Sequence, residues 1–265
     1  MDDAGTDSRT LKDLLIGEGL PKTVSEQIGT ALGEFISSVH TWNQNPDVDL
    51  TAFADNQVGK YISALVTYRR LESTLVGRDN IPALSDPLLG IPEDKMATIT
   101  KLVEKRQQAI YAASVSDPLT HGDFWPGNLV VSPRRGTDGS IEGVEKLYIL
   151  DWECSKTGLP GLDLGQFCAE IHTVSEFYPA REESARTIIG SFLGAYMERR
   201  EKDIGLARTA VSHMGAHLVA LTPRISSWSG REKTREVVEK GVDLMILGEE
   251  GTELSLKESV VGPLV

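Results

Sequence analysis

Residues 121–128 read His-Gly-Asp-Phe-Trp-Pro-Gly-Asn, and further on the apolar run Leu147-Tyr148-Ile149-Leu150 delivers Asp151-Trp152-Glu153. A carboxylate with an Asn five positions later, then a hairpin ending in a second carboxylate, meets the needs of metal-assisted phosphoryl transfer. Asp123 is the candidate catalytic base, because a carboxylate within reach of an attacking hydroxyl orients it and takes its proton. Asn128 offers a neutral oxygen and Asp151 a charged one, and hard oxygen ligands suit magnesium. The bland alternatives are a loop Asp capping its own turn and ordinary turn chemistry at the two hairpin ends. Because the three residues support one another, those alternatives stand or fall together.

Two short strands must position this set. The pattern predicts strands over 129–131 and 146–150, joined by a polar tip over 133–140 rich in Gly, Asp and Ser. Antiparallel pairing then puts Asn128 at the start of one strand and Asp151 after the other at the same end. Asp123, on the preceding loop, faces the same cleft.

Around the hairpin the chain reads as helix. Val24, Ile28, Leu32, Phe35, Ile36 and Val39 recur at helical spacing after Pro21, which predicts a helix over 23–42. Similar patterns predict helices over 56–75, 93–114, 164–176, 181–202, 207–221 and 231–247. Residues 77–92, with Gly77, Pro82, Pro87, Gly90 and Pro92, read as an irregular connector, and nothing periodic follows Glu249. The fold class expected is α+β, mostly α-helical, with a small β-hairpin at the site.

With 265 residues and 40% of them hydrophobic, the chain can bury a sizeable core as one large domain or two small ones. No apolar run approaches the roughly 18 residues that cross a bilayer, and the acidic stretch after Met1 is not a secretory signal. Two cysteines, Cys154 and Cys168, make neither a disulfide framework nor a CxxC site, so a cytoplasmic location is the simplest expectation. A net charge of −12 disfavours nucleic acid or an anionic membrane as partner and is compatible with a cationic small substrate.

His121-Gly122-Asp123, Asn128 and Asp151-Trp152-Glu153, followed by Gly158-Leu159-Pro160-Gly161-Leu162-Asp163-Leu164-Gly165, resemble the aminoglycoside phosphotransferase family. That family includes choline kinase and methylthioribose kinase and shares the protein-kinase-like fold. The resemblance covers roughly residues 10–250, and 118–170 carry nearly all its specificity. It implies ATP- and Mg2+-dependent transfer of a phosphoryl group to a hydroxyl of a small molecule. It also implies that His121 braces the catalytic loop and that Asp163 ties it down, with simple helix capping by Asp163 as the alternative. Trp125 and Glu153 are the candidates for substrate binding; Trp152 and Trp228 either line the cleft with Trp125 or pack in the core. Glu170 and Glu176 are candidates for a substrate amine, His40 reads as a packed core residue, and His213 and His217 lack a metal-ligand pattern around them.

The resemblance is to the helical C-terminal lobe. Leu11-Lys12-Asp13-Leu14-Leu15 is similar to the segment just after the hinge between lobes. The domain reading is a disordered tail over 1–9, the helical lobe over 10–250 and a C-terminal tail over 251–265. Lys12, Lys22 and Lys60 sit in no strand pattern and read as solvated helix or loop residues rather than as the family's phosphate-binding Lys. The expectations are weak activity by itself and an exposed apolar surface near the first helix and catalytic loop that invites a homodimer or a partner subunit. A noncatalytic kinase-like binding or regulatory protein is the rival reading. A two-metal phosphoesterase would need a preceding Asp-x-His and later His ligands, which the sequence lacks.

Overall fold

The computed structural model describes residues 5, 7–198, 200–225, 228 and 230–265. Its strands are β1 (Arg9–Thr10), β2 (Leu119–Thr120), β3 (Leu129–Arg135), β4 (Ile141–Ile149) and β5 (Lys156–Thr157). Helices α1 (Leu11–Gly17) and α2 (Lys22–Val39) open the chain, followed by α3 (Thr51–Ala54), α4 (Gln57–Ser63), α5 (Arg69–Leu75), α6 (Pro82–Ser85) and α7 (Glu93–Ala112). After the strands come α8 (Pro160–Phe177), α9 (Glu182–Met197), α10 (Ile204–Ala220), α11 (Arg231–Glu250) and α12 (Glu253–Lys257). The fold is α+β and mostly helical. No helix among the described residues is long and apolar enough to cross a membrane.

Periodicity explains the packing of α2. Val24, Ile28, Leu32, Ile36 and Val39 bury one stripe, and Ser25, Gly29 and Gly33 bury the stripe beside it. The second stripe lies against α9 so closely that a Cβ on Gly33 would stand 2.2 Å from the carbonyl oxygen of Phe192. Helix α10 is buried on every face from Thr209 to Ala220, with α8 and α11 against it. Its apolar, small-residue sequence is what a central helix requires. One core joins α1, α2, α8, α9 and the hairpin, and a second joins α5, α7, α10 and α11.

The hairpin is longer than its sequence pattern suggests. β3 and β4 pair from Leu129↔Ile149 out to Arg135↔Ile141, which shrinks the turn to the residues around Gly136–Ser140. Pro133 is tolerated inside β3 because a register shift falls between Ser132 and Pro133, where no ladder N–H is demanded of it. β1 adds a third strand through Thr10↔Val130, and β2 pairs with β5 beneath the catalytic loop.

Other differences have local causes. The helix expected over 56–75 is one helical path with a π-turn at Ala64–Tyr68, and that wider turn brings Val66 and Thr67 to a cavity wall near Asp123. Residues 77–92 contain the short helix α6. Beyond Glu249, α12 and a final turn seat Leu256, Leu264 and Val265 in the core. Of the nine-residue N-terminal stretch, residues 1–4 and 6 lie outside the described residues, and Arg9 pairs with Val131.

The close α2–α9 contact yields a stability test. Gly33→Ala forces a methyl group against backbone rather than a movable side chain, and overpacking of this kind costs about 1–3 kcal/mol. Urea unfolding should show a lower midpoint at unchanged slope; an unchanged midpoint would mean the two helices separate freely.

Candidate active site

The loop of residues 121–128 starts where β2 ends, and one carboxylate organises it. Asp163 sits in the first turn of α8 with its oxygens turned away from that helix. Oδ2 accepts from the main-chain N–H of His121 at 2.7 Å, and Oδ1 from that of Gly122 at 2.9 Å. His40 of α2 adds a third bond, Nε2 to Oδ2, at 3.0 Å. Burial alone would raise the Asp163 carboxyl, but the hydrogen bonds it accepts from His40 and from the Gly122 N–H override it and hold the group at about 2. Burial pushes His40 below its ordinary value, so it bonds as a neutral ring whose Nδ1 receives the Tyr196 hydroxyl at 3.0 Å.

Gly122 needs to be glycine. Its φ is +83°, and a Cβ would fall 2.2 Å from the Cys154 carbonyl oxygen and 2.6 Å from Lys156 Nζ. The next residues place His121 under the loop. Its Nε2 meets the Leu150 carbonyl at 3.0 Å and its Nδ1 faces the Asp123 N–H at 3.3 Å. A carbonyl only accepts and an amide N–H only donates, so the proton sits on Nε2. The ring is buried between Trp152 and Phe124, with centroids 4.6 and 5.7 Å away.

Asp123 is gripped by two side-chain amides. Asn128 Nδ2 donates to Asp123 Oδ2 at 3.0 Å and to its main-chain oxygen at 3.1 Å. Gln166, one turn into α8, donates Nε2 to Oδ1 at 2.7 Å. With its nitrogen committed to Asp123, Asn128 has its Oδ1 left as a ligand atom. Across the hairpin end the Leu150 N–H donates to the Asn128 carbonyl at 2.9 Å, and Asp151 follows directly. Asp151 is exposed and left-handed, with φ 65° and ψ 62°, a conformation costing a non-glycine residue about 1–3 kcal/mol. That turn carries the chain from β4 into the 152–155 segment, which Asn56 holds by bonds to the Glu153 and Ser155 carbonyls.

Residues 4–201 match the model of the family described as the phosphotransferase enzyme family. The chain belongs to that family. It is 27% identical over 246 residues to a 4-hydroxytryptamine kinase of Psilocybe cubensis, an alignment covering 91% of this chain and 61% of that protein. A 4-hydroxytryptamine kinase of Psilocybe cyanescens is 26% identical over 246 residues, covering 92% and 61%. Acyl-CoA dehydrogenase family member 10 of Mus musculus is 28% identical over 162 residues, 60% of this chain and 12% of that protein. The chain thus spans about three-fifths of the length of the fungal relatives.

In this family member a cavity of about 250 Å³ opens beside Asp123, with Glu153, Lys156, Gln166, Thr67 and His213 in its wall. A larger one, about 510 Å³, lies by Glu176 and Lys233 and contains none of the motif residues. Trp125 is not in the wall near Asp123. It faces Lys12, whose Nζ is 5.0 Å from the Trp125 ring centroid, 5.0 Å from that of Trp228 and 3.1 Å from Glu170. Lys12 is therefore not a solvated lysine. Nor is Lys60, which is buried and donates to the Ala113 carbonyl at 2.7 Å, while Lys22 is exposed.

The later acidic candidates are already partnered. Glu170 is buried; burial opposes its ionisation, but His217 and Lys12 hold it at about 2. Glu176 is ion-paired with His172, Lys233 and Lys240. His213 accepts the Tyr68 hydroxyl at 2.7 Å and is kept neutral by burial. Leu11, Leu14 and Leu15 of the first helix lie in the core; Leu150 (40% exposed) and Trp152 (38%), on either side of Asp151, are exposed. Gln166 and Lys156 carry no motif signal and become visible only when α8 and β5 fold against the loop.

Asp163 predicts an acid-sensitivity. Its folded value near 2 lies below the ordinary 3.8, so ionised Asp163 contributes about 2 kcal/mol above pH 4, lost as pH falls toward 2. Asp163→Asn should be less stable at neutral pH and show a shallower fall in unfolding free energy between pH 4 and 2. Equal slopes in both proteins would remove the charged role of Asp163.

Proposed function

We propose that the chain provides the catalytic residues of an ATP- and magnesium-dependent kinase that phosphorylates a hydroxyl of a small molecule. The observation that carries this reading is the Asp123 carboxylate, fixed by Asn128 and Gln166 beside a cavity and adjoining the exposed Asp151 turn. Membership of the phosphotransferase family supports the reaction class. The names of the fungal relatives bring a hydroxylated tryptamine forward as the acceptor to try first.

The residues fit the metal. Asn128 Oδ1 and the Asp151 carboxylate are the oxygen donors that would hold magnesium. Among the described residues no three His, Cys, Asp or Glu side chains form a cluster. Few protein ligands suit an ion that keeps several waters and binds phosphate oxygens. When bound, the metal neutralises charge on the phosphates.

Asp123 orients the acceptor hydroxyl and receives its proton. Asn128 and Gln166 bind both Asp123 oxygens, which fixes the carboxylate's rotation while each oxygen keeps a free lone pair. His121 and Asp163 set the loop from below. The role of the whole arrangement is positioning, which accounts for most of the catalysis in phosphoryl transfer.

Asp123→Ala should lower turnover of 4-hydroxytryptamine with magnesium–ATP by about 10²–10⁴-fold from the lost base alone, with more from lost orientation. Asp151→Asn should weaken magnesium–nucleotide binding as well as turnover. Near-normal rates in both variants would leave a noncatalytic binding role.

A further inference from the structure

The cavity beside Asp123 contains a charge that the roles above do not use. Lys156, on β5, is 3% exposed. Among the described residues its hydrogen bond is to the Cys154 carbonyl, at 3.3 Å, a long contact for a group with three N–H donors. A Cβ on Gly122 would meet its Nζ at 2.6 Å, so the nitrogen lies directly against the loop that presents Asp123. It is the one Lys or Arg in the cavity wall, whose carboxylates are Asp123, Glu153 and Asp163. Burial lowers its proton affinity and Asp163 opposes that fall.

A buried ammonium is costly unless it is paired and hydrogen-bonded. Tying down the loop does not require it there. Asp163 does that through the His121 and Gly122 N–H groups, and Thr120 reaches the Lys156 main chain rather than its amine. What the position offers is an ammonium in the wall of the same cavity as Asp123, beside Gly122, which precedes Asp123 in the chain. An oxygen placed there can give its proton to Asp123 and accept a hydrogen bond from Lys156 at the same time.

We propose that Lys156 is a catalytic residue that hydrogen-bonds the acceptor hydroxyl oxygen while Asp123 takes its proton. This rests on the acceptor-site reading above. In the step the acceptor O–H bond breaks toward Asp123 and the oxygen forms a bond to the γ-phosphorus. The bond from that phosphorus to the bridging oxygen of the nucleoside triphosphate breaks, and its electron pair leaves on the diphosphate. Lys156 stabilises negative charge on the acceptor oxygen before the new bond is complete. An aryl hydroxyl, with an ordinary pKa of about 10, carries more of that charge than an alkyl one, so the site is matched to aryl hydroxyls.

Two probes differing by one hydroxyl test this: 4-hydroxytryptamine and tryptamine, titrated calorimetrically into wild type and Lys156→Met. The variant keeps the apolar stem and removes the donor; thermal melting checks its fold. Loss of a charge-assisted hydrogen bond should weaken the hydroxylated probe about tenfold or more and leave tryptamine unchanged. A structural role would weaken both probes equally and would overturn the proposal. Equal affinity of 4-hydroxytryptamine for both proteins overturns it while sparing the acceptor site; failure of 4-hydroxytryptamine to bind wild type overturns the acceptor site and the Lys156 role with it. Should Lys156→Met not fold, lysine 13Cε NMR of the wild type supplies the reading. The hydroxylated probe should move a buried-lysine signal that tryptamine leaves in place, and identical spectra with both probes would overturn the proposal.

Discussion

The buried carboxylate of Asp163 is the constraint on which the site depends. It collects two consecutive main-chain N–H groups of the catalytic loop and a histidine from α2, so three separate stretches of chain meet at one side chain. A loop with Gly122 at positive φ has no ladder of its own to satisfy those N–H groups, and leaving them unpaired in the interior would cost about 1–3 kcal/mol each. Ionised Asp163 meets that need at a burial cost that its three donors offset. The loop's shape is therefore set by the helical core together with its own Gly122.

From that anchor the geometry passes outward. Gly122 turns the chain so that Asp123 emerges between Asn128 and Gln166, and His121 connects the loop to the end of β4 through Leu150. Gln166 sits on the same helix as Asp163, less than one turn along, so α8 holds the loop backbone with one residue and the presented carboxylate with another. Such a carboxylate cannot swing away, which is what a positioning mechanism demands.

The candidate constellation was legible as a cluster because its residues lie close in sequence and one hairpin joins them. The mainly helical architecture was legible for a similar reason: periodic apolar stripes such as Val24 to Val39 are local signals. Residues that act through long-range contact were not. Gln166 and Lys156 look like a surface glutamine and a loop lysine until α8 and β5 are packed. β2 and β5 are two residues each, too short for an alternating pattern. Lys12 and Lys60 read as solvated charges, and Glu170 as a candidate for a substrate amine, because sequence shows charge without showing the partner, whether Trp125 and Trp228 around Lys12, the Ala113 carbonyl at Lys60 or His217 at Glu170. Pro133 argued for a turn, and the register shift that admits it into β3 is a property of the pair of strands.

In the proposed function Asp123, Asn128 and Asp151 share one metal–nucleotide site facing the cavity of Lys156. Paramagnetic broadening by manganese–ATP, added to 15N-labelled protein at concentrations high enough to fill a weak site, locates the metal. A shared site removes the Asn128 side-chain amide signal and the Gly122, Asp123 and Asp151 backbone signals and leaves His172 and Lys233 at the larger cavity sharp. Broadening centred on that larger cavity, or none at residues 121–128 and 151, would contradict it.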